Sequence, residues 1–127
     1  MKRSILSGAV VGLVGLAVAL PALAAEPPVL RVIAVQTTDV AAYTHEIEVV
    51  RALYKKLGLN VTIDAYRATF AGAEAGAVVV AITVPNLAAL AKMTEMSHTQ
   101  PDVVAEMKKI NAMRKIVSDS LYDKLTP

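Results

Sequence analysis

A single α+β domain with the element order β-α-β-β-α-β is what this 127-residue sequence predicts. Three observations predict it. Residues 29–37 (VLRVIAVQT), 60–70 (NVTIDAYRATF) and 77–84 (AVVVAITV) carry the β-branched or alternating patterns of strands. Residues 40–57 set Val40, Tyr43, Ile47, Val50, Tyr54 and Leu57 at three- and four-residue steps, one stripe of an amphipathic helix. A second helical region follows residue 84, and a further alternating segment closes the chain.

The chain opens on a segment of a different kind. Met1-Lys2-Arg3 is positive, Ile5 to Leu20 is mainly apolar, and Pro21 precedes Ala22-Leu23-Ala24, small residues at the −3 and −1 positions of a cleavage site. That layout predicts a secretory signal peptide over residues 1–24, cut after Ala24, and a periplasmic or secreted product. Retention as a membrane anchor is the competing reading, but the apolar stretch contains Ser7, Gly8, Gly12 and Gly15 and no stop-transfer charges follow. Cleavage leaves residues 25–127 as one domain and no membrane association. Lys2 and Arg3 depart with the leader, so basic and acidic residues in the remainder balance, and no basic run suggests nucleic acid as a partner. The chain has no cysteine, which excludes disulfide staples, cysteine zinc sites and a lipid-modified cysteine anchor.

Each element has its local justification. Pro27-Pro28 is a stiff entry to the first strand. Thr38-Asp39 offers the N-cap of the first helix and Gly58 its left-handed C-terminal cap, while Glu48 and Arg51 are spaced to pair. Val61, Ile63 and Ala65 alternate with Thr62, Asp64 and Tyr66, and Ala71 to Gly76 supplies a tight reversal, so residues 60–84 read as an antiparallel hairpin. Ala77 to Val84 is apolar on both faces, as a central strand is. Asn86 caps a helix expected to turn Leu87, Leu90, Ala91 and Thr94 inward; Ser97 to Asp102 interrupts it, and a second stretch runs from Val103 to about Met113. Residues 115–125 (KIVSDSLYDKL) suit either a strand or a continuing helix, and the strand is preferred because the order needs a fourth.

This order is the ferredoxin-like arrangement, an antiparallel four-stranded sheet with its helices on one face. The other face stays uncovered, and in so small a chain an apolar uncovered face calls for a partner. The strand VLRVIAVQT, the helix DVAAYTHEIEVVRALYKKLG, the hairpin ending in VVVAITVPNLAALA, the Gln100-Pro101-Asp102 break and the terminal SDSLYDKL together resemble the dimeric α/β-barrel superfamily, nearest to its small NIPSNAP-like members. The resemblance spans nearly all of residues 29–126. It implies that two subunits pair sheet to sheet as a homodimer, forming a barrel whose interior holds a small molecule. It also brings in relatives that are monooxygenases, haem-degrading enzymes or isomerases.

Few residues are suited to chemistry. His45 and His98 are the only histidines; His45 lies off the apolar stripe, and His98 sits near a helix end, where a cation suits the helix dipole. Either could serve as an acid/base group, with Tyr66 as a further catalytic candidate. Met93, Met96 and His98 form a weak metal alternative, two thioethers and an imidazole suited to Cu(I), though methionines at this spacing more often fill a core. Asp64, Tyr66, Arg67 and Phe70 are the candidate ligand-binding residues, and which alternate set faces a barrel interior is open, because the register of the strand is not in the sequence. Glu74, between two glycines, reads as an exposed loop charge. No phosphate-cradling glycine loop, metalloprotease motif or nucleophile elbow occurs, tryptophan is absent, and no cofactor is predicted. The leading expectation is an exported homodimer, non-catalytic or of uncharacterised activity, with room for a small apolar ligand between its sheets. The alternative is a monooxygenase- or isomerase-like enzyme of the same architecture working through His98 or His45.

Overall fold

The computed structural model describes residues 26–69 and 72–125. The expected leader, residues 1–24, and Phe70 lie outside them. Four strands, β1 (Val29–Gln36), β2 (Thr62–Arg67), β3 (Val78–Val84) and β4 (Lys115–Asp123), form one antiparallel sheet in the order β2-β3-β1-β4. Three helices accompany it: α1 (Val40–Lys56), α2 (Leu87–Thr99) and α3 (Pro101–Ala112). The domain is therefore α+β, and its strand order is compatible with the ferredoxin-like arrangement.

Local chemistry sets the helix ends. The Asp39 carboxylate accepts the Ala42 amide at 3.0 Å and starts α1. At the other end Gly58, with φ of +77°, lets the Leu59 amide reach the Tyr54 carbonyl and its own amide reach Lys55, both at 3.1 Å. Asn86 caps α2 through the Ala89 amide at 2.8 Å. The expected interruption over Ser97–Asp102 shrinks to one residue. Only Gln100 is non-helical; its amide closes α2, and its side chain accepts the Asp102 amide at 2.9 Å to open α3 on Pro101.

Pairing across the sheet assigns every side chain to a face. Val29, Ile33 and Val35 share a face with Val78, Val80, Ile82, Val84 and Ile63, and all are buried. Against them pack Tyr43, Ile47, Val50 and Tyr54 of α1, Met93 of α2, and Val103 and Ile110 of α3. The helices thus cover one face only. The α1 stripe buries where the periodicity places it, β3 lies in the sheet's interior, and residues 115–123 form the fourth strand.

The face of α2 departs from expectation. Leu87, Ala91 and Thr94 are exposed, and the buried stripe runs through Ala89, Leu90 and Met93, a helix rotated so that its bulkiest flexible side chain fills the core. The β2–β3 reversal is also longer than a tight turn. Ala68 and Ala77 extend the ladder at 2.9 Å, and a short 3₁₀ turn over Gly72–Glu74 follows the last residues of β2. At the sheet edge, Arg51 of α1 donates Nε to the Ile63 carbonyl of β2 at 2.8 Å while pairing with Glu48. This ties the edge strand to the helix layer.

The rotation of α2 is testable by truncation. Met93→Ala should lower the unfolding free energy by about 2–5 kcal/mol, whereas Leu87→Ala should stay within about 0.5 kcal/mol, as read from urea melts. Equal losses at both positions would restore the inward Leu87.

Candidate functional site

Two regions of this fold could serve a ligand or a partner: the uncovered sheet face and a crevice under the helices.

The uncovered face consists of three rows running across β2, β3, β1 and β4: Thr62-Thr83-Leu30-Tyr122, Asp64-Ala81-Val32-Ser120 and Tyr66-Val79-Ala34-Ser118. The two middle strands contribute an apolar strip of Leu30, Val32, Ala34, Val79 and Ala81. Hydroxyl-bearing residues flank it, and Tyr66 and Tyr122 are 59% and 53% exposed. Asp64 is the acidic side chain in these rows. One end of the face is closed, because Ser118 donates its hydroxyl to Glu74 Oε1 at 2.7 Å. The loop after β2 therefore reaches over the sheet toward β4, and Ala34 beneath it is only 1% exposed. Glu74, expected to be a free loop charge, is half-buried and partnered.

The register settles which alternate set of β2 faces outward. Ile63 pairs with Ile82 and is 2% exposed under the helices, so Asp64 and Tyr66 lie on the uncovered face and Arg67 on the opposite one. Asp64, Tyr66 and Arg67 thus divide between two faces.

His45 on α1 and His98 on the last turn of α2 are exposed and belong to the helix layer. The structure does not bring either histidine together with Tyr66, which occupies the other side of the sheet. Met93 is buried, Met96 half-buried and His98 exposed, so the three do not converge. Among the described residues no group of three or more His, Asp or Glu side chains is placed to hold a metal ion, and no helix is long and apolar enough to cross a membrane.

The crevice lies between the helices and the covered sheet face, with a cavity of about 80 Å³. Ile33, Val80, Ile82, Met93 and Ile110 supply apolar walls; Arg31, Tyr54, Thr94, Ser97 and Arg114 supply the polar groups. Arg31 occupies an inward position of β1, a charge where the period of two calls for an apolar residue. It is held by a bidentate pair with Asp119 of β4, Nε at 2.9 Å and Nη2 at 2.7 Å. Hydrogen bonding to Arg31 holds the Asp119 carboxyl below its usual range, and the charge of Arg114 adds to the effect. Burial pushes the Tyr54 hydroxyl up, opposed by the charge of Arg31. Arg114 donates Nη1 to the Tyr43 hydroxyl at 3.1 Å and Nη2 to Asn111 at 2.9 Å. Its Nε is buried without a partner.

A carboxyl pair sits at the seam of α1 and α3. Glu106 is 7% exposed, and Lys109 lies 4.0 Å from it and 3.8 Å from Glu46. Burial first, then the hydrogen bond and charge of Glu46, push the Glu106 carboxyl up. The same hydrogen bond, with Lys109 and His45, holds Glu46 down. The two shifts run in opposite directions, so a proton taken up by the pair is held more tightly by Glu106 than by Glu46.

None of Arg31, Asp119, Arg114, Glu46 and Glu106 stands out in the sequence as a site residue. The single available signal is the inward parity of Arg31 within Val29–Val35.

The carboxyl pair yields a pH dependence of definite sign. A carboxyl whose folded value is raised favours folding below its unfolded value, and that contribution is lost as pH climbs through the folded value. Glu106→Gln, which keeps a donor toward Glu46 at every pH, should raise the melting temperature at about pH 8 and leave it little changed at about pH 4. An equal gain at both would mean the pair does not share a proton. Compared with known proteins, the chain matches no family model, no curated protein and no solved structure.

Proposed function

We propose that this protein is an exported homodimer whose uncovered sheet faces pack together and enclose a small apolar ligand. The observation that carries the reading is the central strip of Leu30, Val32, Ala34, Val79 and Ala81, apolar and left without helices among the described residues, whose three helices all lie on the other side. A face of this kind is self-complementary under a two-fold axis: apolar strip meets apolar strip, and the flanking hydroxyls form a polar rim. Asp64 stands at the β2 edge, where a rim charge remains hydrated. The cover that Glu74 provides over one end leaves the rest of the strip open, so two packed faces would meet at one end and gape at the other. That gap is the ligand chamber. The balanced charge of residues 25–127 opposes no such approach. Export follows from the leader-like pattern of residues 1–24, and the absence of a converging histidine, acid and nucleophile on this face favours binding over catalysis.

Light scattering on the purified protein should return twice the chain mass. Val32→Asp and Val79→Asp should each weaken association by more than about a hundredfold, since either buries an unpaired carboxylate between the sheets. Ala91→Asp, on the exposed side of α2, should change nothing. An environment-sensitive apolar dye such as N-phenylnaphthylamine should bind the dimer and be released with dissociation. A wild-type monomer at all concentrations would overturn the reading.

A further inference from the structure

The crevice beneath the helices takes no part in the pairing of sheet faces, and its chemistry is different. We infer that it is a binding site for a small organic monocarboxylate with a short apolar body. The inference does not depend on dimerisation, because the crevice belongs to one chain.

Size comes first. One water needs about 10–15 Å³ of such space, so a cavity of about 80 Å³ admits a molecule of several heavy atoms. Its walls of Ile33, Val80, Ile82, Met93 and Ile110 hold water poorly and suit an aliphatic chain.

Charge comes second. The crevice is lined by two guanidinium groups, Arg31 and Arg114, and Asp119 meets Arg31 from outside that lining. Asp119 spends both oxygens on Arg31, so that pair is closed. Among the described residues no carboxylate lies within ion-pairing distance of Arg114, whose Nη1 and Nη2 bond only the neutral Tyr43 and Asn111 side chains. One positive charge is left over, and each of its two Nη nitrogens keeps a second N–H beyond those two bonds. A guanidinium without a counter-charge beside apolar walls is matched by a carboxylate, which takes its remaining Nη–H groups in charge-assisted bonds.

Donor count narrows the class. The hydroxyls of Thr94 and Ser97 donate to the Leu90 and Thr94 carbonyls of their own helix at 2.9 and 2.6 Å, so they have lone pairs but no proton to offer an anion. A phosphate, which needs several donors, would remain under-satisfied. One carboxylate against one unpaired guanidinium, its tail among Met93, Ile110 and Val80, fits what is present.

Titration of the isotope-labelled wild-type protein with hexanoate tests this. Hexanoate should bind saturably and shift the side-chain methyl resonances of Ile110 and Met93 while leaving Val32 and Val79 unmoved. Hexanol, of similar shape but uncharged, should bind about tenfold more weakly. Arg114→Gln should reduce hexanoate to the level of hexanol without altering hexanol itself. Should that variant fail to fold, the ratio of hexanoate to hexanol on the wild type decides the matter alone. Equal affinities would reduce the crevice to apolar slack, no saturable binding would remove the site, and shifts confined to Val32 and Val79 would move the ligand to the sheet chamber; each overturns the inference.

Discussion

Three helices cover one side of a sheet whose two middle strands are apolar on both sides, and this mismatch governs the rest of the molecule. β1 and β3 bury Val29, Ile33, Val35, Val80 and Val84 under the helices while presenting Leu30, Val32, Val79 and Ala81 to the other side. With about 25 cal/mol per Å² of apolar surface at stake, such a strip is a standing drive toward association. Among the described residues little covers it. Glu74 and its turn reach across one end and bury Ala34, and the bond to Ser118 holds them there. That closure shortens the uncovered strip without removing it, and the proposed pairing places a second copy over the remainder.

The covered side has its own irregularity. A guanidinium at an inward position of a middle strand cannot be packed like its neighbours, and Asp119 of the adjacent strand neutralises it. The pair is about one-third exposed, so it adds little to stability. Its effect is spatial. Arg31 lines the crevice and, paired with Asp119 outside it, keeps a charged group in contact with water between β1 and the helices.

What the sequence discloses follows the range of the physics involved. The ends of α1 were legible because Asp39 and Gly58 act on backbone groups within a few residues. The covered and central character of β3 was legible from an uninterrupted apolar run. The inward face of α2 was not, because alanine, threonine and methionine give the stretch little contrast, and the side that faces the sheet depends on which residue best fills the space beside Ile82 and Ile110. Nor was the face of β2, since a register shift of one residue exchanges Asp64 and Tyr66 for Ile63 and Arg67, and only the partner Ile82 decides between them. The crevice was least legible of all. Arg31 and Asp119 are 88 residues apart, and Arg114 joins them only because β4 returns beside β1.

That return also explains how one small domain can hold two unlike surfaces. Along β4 the alternation sends Ser118, Ser120 and Tyr122 to the uncovered face and Asp119 and Leu121 toward the helices. A single strand therefore supplies the hydroxyl rim of one region and the carboxylate of the other. A bulge where β4 passes Ala34 and Val35 absorbs the change in register, so that Ile116 joins the covered side beyond it. The two surfaces are separated by the thickness of one sheet, yet they share no side chain. Occupancy of the crevice and pairing of the uncovered faces can consequently be altered one at a time, and any influence of one on the other must pass through the backbone of the strands that serve both, β1, β2 and β3.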